Sequence, residues 1–201
     1  MPQIKLPAIE TLAAELSDVI FARQSLSERD TPRPSGSFPL NSISTLLGNA
    51  VAARTHGKRG YPSGGGLNPI EIYFVGTLEG GKCPKAYHFS QNNHVLEELW
   101  ETTPAALDTL TSSEHTVSRT HALILTARWG QSSQKYGGFA YYLSLLEAGH
   151  LAQNVLLCAT ALDVSSRVIG GFNDRAVSTL LDIWSPEEDP LYFIILAPNT
   201  L

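Results

Sequence analysis

The stretch AYYLSLLEAGHLAQNVLLCATAL, residues 140–162, constrains the fold more than any other part of the chain. It is apolar almost all round and carries one charged side chain, Glu147. A helix of this kind is covered on most of its surface instead of lying on the outside of a domain. It predicts a largely buried helix over 140–162. Just before it, in RWGQSSQKYGG, stand Lys135 and Tyr136. This polar, Gly-flanked stretch of residues 128–138 reads as a loop free to move. From the residues alone, the pair is either a solvated Lys beside a packed Tyr or an acid/base pair above whatever the helix supports.

The remaining pattern mixes helices and strands. Ile9, Leu12, Leu16, Val19 and Ile20 have helical spacing and predict a helix over 9–24. LNSISTLLGNAVAA predicts a second helix, with Asn41 or Ser42 as its cap. IEIYFVGTL and HALILTARWG read as strands, the latter from His121 to about Ala127. KAYHFSQNNHVLEELW reads as a short strand, a turn and a helix. SSRVIGGF is a connection, NDRAVSTLLDI a helix and PLYFIILAP a closing strand. Strands and helices do not alternate regularly, so the expectation is an α+β fold. At 201 residues the chain is read as one domain over 1–201.

Composition removes several classes of function. The net charge of -5, without a basic run, argues against nucleic-acid partners. No apolar run long enough to span a bilayer and no signal-peptide pattern appear, which predicts a soluble, cytoplasmic protein away from membranes. Cys83 and Cys158 lack a CxxC partner, so neither a disulfide framework nor zinc is expected. His56, His88, His94, His115, His121 and His150 show no metal-ligand spacing, and no metal is expected. The serine-hydrolase GxSxG elbow is absent.

Two glycine clusters stand out. YPSGGGLNP places Ser63, Gly64 and Gly65 in a turn directly before a strand. Glycine permits close backbone approach, so the turn suits a flat or anionic ligand as well as it suits a plain tight turn. It is neither a dinucleotide fingerprint nor a phosphate-binding P-loop. Gly170 and Gly171, in VIGGFND, read by spacing as the cap of a helix, the alternative being a backbone ribbon against a cofactor edge. Arg23 and Arg29 are surface cations or an anion site. Glu147 is a helix-end carboxylate or an acceptor behind a site, and Tyr141 and Tyr142 read as packing.

Taken together, these segments resemble one family. IKLPAIETLAAELSDVIFARQSLSERD, RGYPSGGGLNPIEIYFV, KYGGFAYYLSLLEAGHLAQNVLLCATALDV and VIGGFNDRAVSTLLDI with EDPLYFIILA occur in the family's order. The chain is similar to the SagB-type thiazole/oxazole-forming peptide dehydrogenases of the nitroreductase superfamily. That resemblance implies a nitroreductase-like fold: a central, mostly antiparallel sheet flanked by helices, in a homodimer with helix 140–162 at its core. It also implies FMN, held through Arg23 and Ser25 at phosphate and ribityl, Ser63, Gly64 and Gly65 against the isoalloxazine, and Gly170 and Gly171 near its reactive edge. Lys135 and Tyr136 match the family's acid/base pair.

The implied activity is oxidation of thiazoline or oxazoline rings to azoles in a peptide, ribosomal or carrier-bound, with a cyclodehydratase or synthetase as partner. An NAD(P)H-dependent nitro- or quinone-reductase and a non-catalytic scaffold subunit of a synthetase are the alternatives. Departures from the pattern are local. Gln24 and Ser27 stand where arginines are common, leaving Arg29 to supply a second cation. Phe139 and Tyr142 stand where many relatives carry arginines, and the chain is expected to lack the C-terminal extension that many nitroreductases carry.

Overall fold

The computed structural model describes residues 1–26, 36–53, 57–111, 121–184 and 186–198. One seven-stranded sheet organises them, in the order β1-β4-β3-β2-β5-β7-β6. Its strands are β1 (Gln3–Lys5), β2 (Ile70–Gly76), β3 (Lys85–Ser90), β4 (Val95–Glu101), β5 (His121–Arg128), β6 (Val164–Ile169) and β7 (Glu188–Pro198). Every pair of neighbouring strands is antiparallel. The helices are α1 (Leu16–Ala22), α2 (Leu40–Val51), α3 (Pro104–Asp108), α4 (Gly130–Tyr136), α5 (Phe139–Ala161) and α6 (Asp174–Leu181). The α+β expectation therefore holds.

Strand alternation sorts side chains to two cores. Ile72 and Phe74 of β2, with Leu123 and Leu125 of β5, join Leu46 and Leu47 of α2 and Leu151 and Val155 of α5. Tyr73, Val75, Ala122 and Ile124 point the other way, to Leu107 of α3 and Val177 and Leu181 of α6. A strand buried on both faces becomes apolar at nearly every position, which is why β5 reads as an unbroken hydrophobic run. Along α5, Ala140, Ser144, Glu147, Ala148, Leu151, Ala152, Val155 and Ala159 form the buried stripe. Its other side is apolar as well: Phe139, Tyr142, Leu145 and Leu146 are exposed. None of the helices among the described residues is long and apolar enough to cross a membrane.

Several expectations fail for physical reasons. Val95, Leu96, Leu99 and Trp100 have helical spacing, yet they lie in strand β4. β1 and β3 pair with its two edges, and Lys85 and His88 of β3 bind Glu98 and Glu97 across the sheet. Cross-strand pairing overrides the helix propensity of Leu and Glu. The first helix covers only 16–22 of the expected 9–24. The amide of Glu10 donates to Thr45 Oγ1, and its carbonyl accepts from Asn49 Nδ2. Backbone groups engaged by α2 side chains are not available to a helix.

The expected loop 128–138 contains α4, closed by Gly137 at φ 55°. Of the expected connection at 165–172, residues 165–169 belong to strand β6. Gly170 and Gly171 therefore follow a strand, and the helix-cap reading of them is wrong. β1 and α3, only 3 and 5 residues long, are too short to carry a periodic signal.

Candidate active site

The turn after Pro62 is built on Ser63. Its hydroxyl accepts the Asn68 N–H at 2.8 Å, and its carbonyl accepts the Gly66 N–H at 3.0 Å. Gly65 and Gly66 take φ of 62° and 70°, a left-handed conformation that glycine enters without steric cost. Two other segments close on this turn. Leu143, in the first turns of α5, lies 3.1 Å from where a Cβ on Gly64 would sit. From the last turn of α4, Lys135 and Tyr136 reach Gly65. A methyl there would lie 2.6 Å from Lys135 Nζ and run into the Tyr136 hydroxyl. Lys135 Nζ stands 5.2 Å from the centroid of the Tyr136 ring. Lys135 is exposed and Tyr136 half-buried. The predicted residues Ser63, Gly64, Gly65, Lys135 and Tyr136 thus form one cluster, although 69 residues lie between Gly65 and Lys135 in the chain.

Beneath the turn lies Glu147, only 2% exposed. Burial pushes its carboxyl up from the ordinary range, while the Ser63 hydroxyl, the Gly64 amide and the charge of Arg59 pull it part of the way back. Behind the cluster a polar network fixes where α4 begins. Arg128 binds Glu188 at 2.9 Å and Glu71 at 3.3 Å. Tyr73 and Thr126 donate to Glu188, and Trp129 Nε1 donates to Asp189 at 2.7 Å. His88 sits between Glu71 and Glu97, at 2.8 and 2.9 Å. Burial pulls His88 down, but the two carboxylates outweigh it and hold it above its ordinary value. Of these residues only Glu71 falls inside a sequence motif, the glycine-rich block; Arg128, Glu188 and His88 come from separate strands with no shared spacing. On the far side of α4, a cleft of about 450 Å³ is lined by Trp129, Ser133, Gly137, Tyr141 and Asp174.

The other predicted residues form a second group. Arg23 closes α1, its amide bonded to the Val19 carbonyl at 2.9 Å. Its guanidinium has no hydrogen-bond or ion-pair partner among the described residues. Ser25 forms a bridge with Ser166 of β6, and Arg167 Nη1 donates to the Leu26 carbonyl at 3.1 Å. Gly170 and Gly171 leave the end of β6 exposed, with no atom within 4 Å of either position where a Cβ would stand. Arg29 lies outside the described residues. No hydrogen bond or ion pair joins this second group to the Gly65 cluster among the described residues. Among them, too, no group of His, Cys, Asp and Glu is arranged to hold a metal ion.

Comparison with known proteins identifies the family. The Nitroreductase family matches residues 35–197. MJ1384 of Methanocaldococcus jannaschii, which is named as a nitroreductase, is 30% identical over 193 residues, 90% of each chain. The microcin B17-processing protein McbC of Escherichia coli is 27% identical over 172 residues, 81% of this chain and 63% of McbC. A chain of the E. coli microcin synthetase McbBCD complex, solved with truncated pro-MccB17 bound, shares the fold. Its TM-score is 0.73 at 23% identity, over 97% of this chain and 77% of that one. Matched over most of its length, with its Lys-Tyr pair set against the Pro-Ser-Gly-Gly turn, the chain belongs to the nitroreductase family, in its SagB-type branch.

Proposed function

We propose that this protein is an FMN-dependent oxidase that converts thiazoline or oxazoline rings of a peptide to the aromatic azoles. The observation that carries the reading is the convergence of Lys135 Nζ and the Tyr136 hydroxyl on the bare Cα of Gly65. The residues suit a flavin. Gly65, Gly66, Gly170 and Gly171 present backbone without side chains, and Arg23, without a side-chain partner among the described residues, offers a cation to a phosphate. FMN, when bound, supplies the two-electron acceptor.

Aromatisation removes a hydride and a proton from adjacent ring carbons. The proton is the part this chain must handle. Lys135 and Tyr136 both move protons at their terminal atoms, and they act as one coupled acid/base pair beside the ring. Ser63, Gly64 and Gly65 form the floor on which that pair is set. A site shared between two copies of the chain, as the SagB-type resemblance implies, accounts for a second residue group apart from the first. The exposed apolar face of α5, beside Leu16, Ile20 and Phe21 of α1, is the surface proposed for that homodimer. The rings would be formed beforehand by a cyclodehydratase or synthetase partner. McbBCD, a synthetase complex that binds its precursor peptide, is the precedent for such an assembly.

The deciding experiment supplies the purified protein with an azoline-bearing peptide and follows its mass. Loss of two hydrogens per ring supports the reading. An unchanged peptide, with rapid turnover of NAD(P)H and a nitroarene, would replace it with the reductase reading that similarity to MJ1384 favours.

A further inference from the structure

The glycine-rich turn and α4 meet at Gly65 but stand apart at their other ends. A cleft of about 330 Å³ separates residues 67–69, at the exit of the turn, from residues 130–132, at the start of α4. The spacing of the two elements therefore depends on what joins them across that cleft. Arg128 and Glu71 both line it.

Arg128 is tied to each side. Its N–H donates to the carbonyl of Pro69 at 2.9 Å, one residue past the turn. Nη1 of its guanidinium lies 3.3 Å from Oε1 of Glu71, two residues further on. Nε donates to Oε2 of Glu188 at 2.9 Å. Glu188 is itself fixed: it is 6% exposed, and its Oε1 accepts the hydroxyls of Tyr73 and Thr126 from β2 and β5. The next residue, Trp129, donates its N–H to the Glu187 carbonyl at 3.1 Å and its indole N–H to Asp189 at 2.7 Å. Its carbonyl accepts the Ser133 N–H of α4 at 2.8 Å. One side chain thus joins the exit of the turn, a buried carboxylate and the start of α4. It does so through two N–H groups of a rigid planar fork, each on a different carboxylate, an arrangement that a Lys ammonium cannot reproduce.

We propose that Arg128 is a positioning residue: its guanidinium, held by Glu188 and Glu71, sets the spacing between the glycine-rich turn and α4 and so brings Lys135 Nζ and the Tyr136 hydroxyl onto Gly65. Its hold on the two elements follows from the contacts alone, while its effect on turnover rests on the azoline-oxidase reading. Arg128→Lys keeps the charge and loses the fork. Glu71→Ala removes the acceptor on the turn side, and Glu71→Gln restores an acceptor oxygen.

The test compares these three variants with the native protein, by amide hydrogen exchange at Asn68 and Ser133 and by kcat and KM for azole formation. Loss of a charge-assisted hydrogen bond predicts exchange about 10–100-fold faster at both amides in Arg128→Lys and Glu71→Ala. Displacement of the acid/base pair should lower kcat by about 10–100-fold and leave KM nearly unchanged. Glu71→Gln should recover most of both losses. Added to Tyr136→Phe, Arg128→Lys should cost little further kcat, because a residue that acts through the pair has no intact pair left to position. The Glu71 variants keep the test decisive if Arg128→Lys does not fold.

Native exchange at Asn68 and Ser133 in Arg128→Lys and Glu71→Ala would overturn the proposal. So would a Glu71→Gln protein as impaired as Glu71→Ala. An equal loss of kcat from Arg128→Lys with and without Tyr136→Phe would also overturn it, since a merely structural role acts the same in either background. A native protein that forms no azole would instead remove the proposed activity, and the exchange measurements would still decide whether Arg128 holds the turn and α4 together.

Discussion

At the scale of single residues, the contact of Gly65 with Lys135 and Tyr136 is the feature with the sharpest consequences. Positioned acid/base groups contribute roughly 10²–10⁴-fold, so Lys135→Ala and Tyr136→Phe should each slow azole formation by about that factor. Flavin content should be retained in both. The double variant should be little worse than the poorer single one, because groups acting as a unit are not additive. Steady-state kinetics with an azoline peptide checks all three; native rates in both single variants would make the pair structural. Gly65→Ala reaches the same pair from the opposite side. It places a methyl on the Tyr136 hydroxyl and puts a left-handed residue with a Cβ in the turn. The backbone cost is about 1–2 kcal/mol. The displaced Tyr136 should cost more in rate than the variant loses in stability, and thermal unfolding beside kinetics separates the two.

At the scale of elements, β5 carries a titrating group into the core. His121 opens the strand at 2% exposure, stacked on Phe74 and edge-on to Phe38. Burial holds its pKa down at about 4, against 6.5 for the free side chain. A depressed His is neutral when folded and protonates first in the unfolded chain. Its contribution is therefore complete above pH 6.5 and is lost as pH falls through the window to about 4. Full expression of that shift is on the order of 3 kcal/mol. Denaturant midpoints measured across the window should fall on the acid side in the native protein and less steeply in His121→Gln. Equal slopes would assign the acid sensitivity elsewhere. α4 shows how an element arises that local pattern conceals. RWGQSSQKYGG has almost no apolar periodicity, and its helix is started by contacts made at its N-terminal flank. Arg128 is held by Glu188 and Glu71, and Trp129 by Asp189.

At the scale of the whole molecule, the open question is what covers the apolar outer side of α5 and α1. Phe21 is 90% exposed, beside Leu16 and Ile20 on the same short helix. A surface of this kind on a small protein marks an association face. Multi-angle light scattering should report a dimer, and Leu146→Glu should shift it to monomer. Because the proposed FMN site draws on two chains, the monomeric variant should also lose the yellow chromophore. A monomer that keeps full flavin occupancy would separate the site from the dimer. Chromatography of the cofactor released from denatured native protein should give FMN, and FAD would contradict the proposal.

The sequence alone determined what depends on local pattern and on uninterrupted motifs. The apolar run of α5, the β-branched runs of β2, β5 and β7, the α+β class and the Pro-Ser-Gly-Gly and Lys-Tyr segments were all legible, since each is specified by neighbours in the chain. Tertiary structure decided the rest. Leu96 and Trp100 became strand residues because β1 and β3 satisfy the backbone on either side. Gly170 and Gly171 ended a strand because β6 found β7 as its partner. Lys135 and Tyr136 met Gly65, and Glu147 came under Ser63, because α5 crosses beneath the start of β2. Contacts of this kind join residues far apart in sequence. Their energy appears only when the sheet and helices have assembled, so no local spacing can encode them.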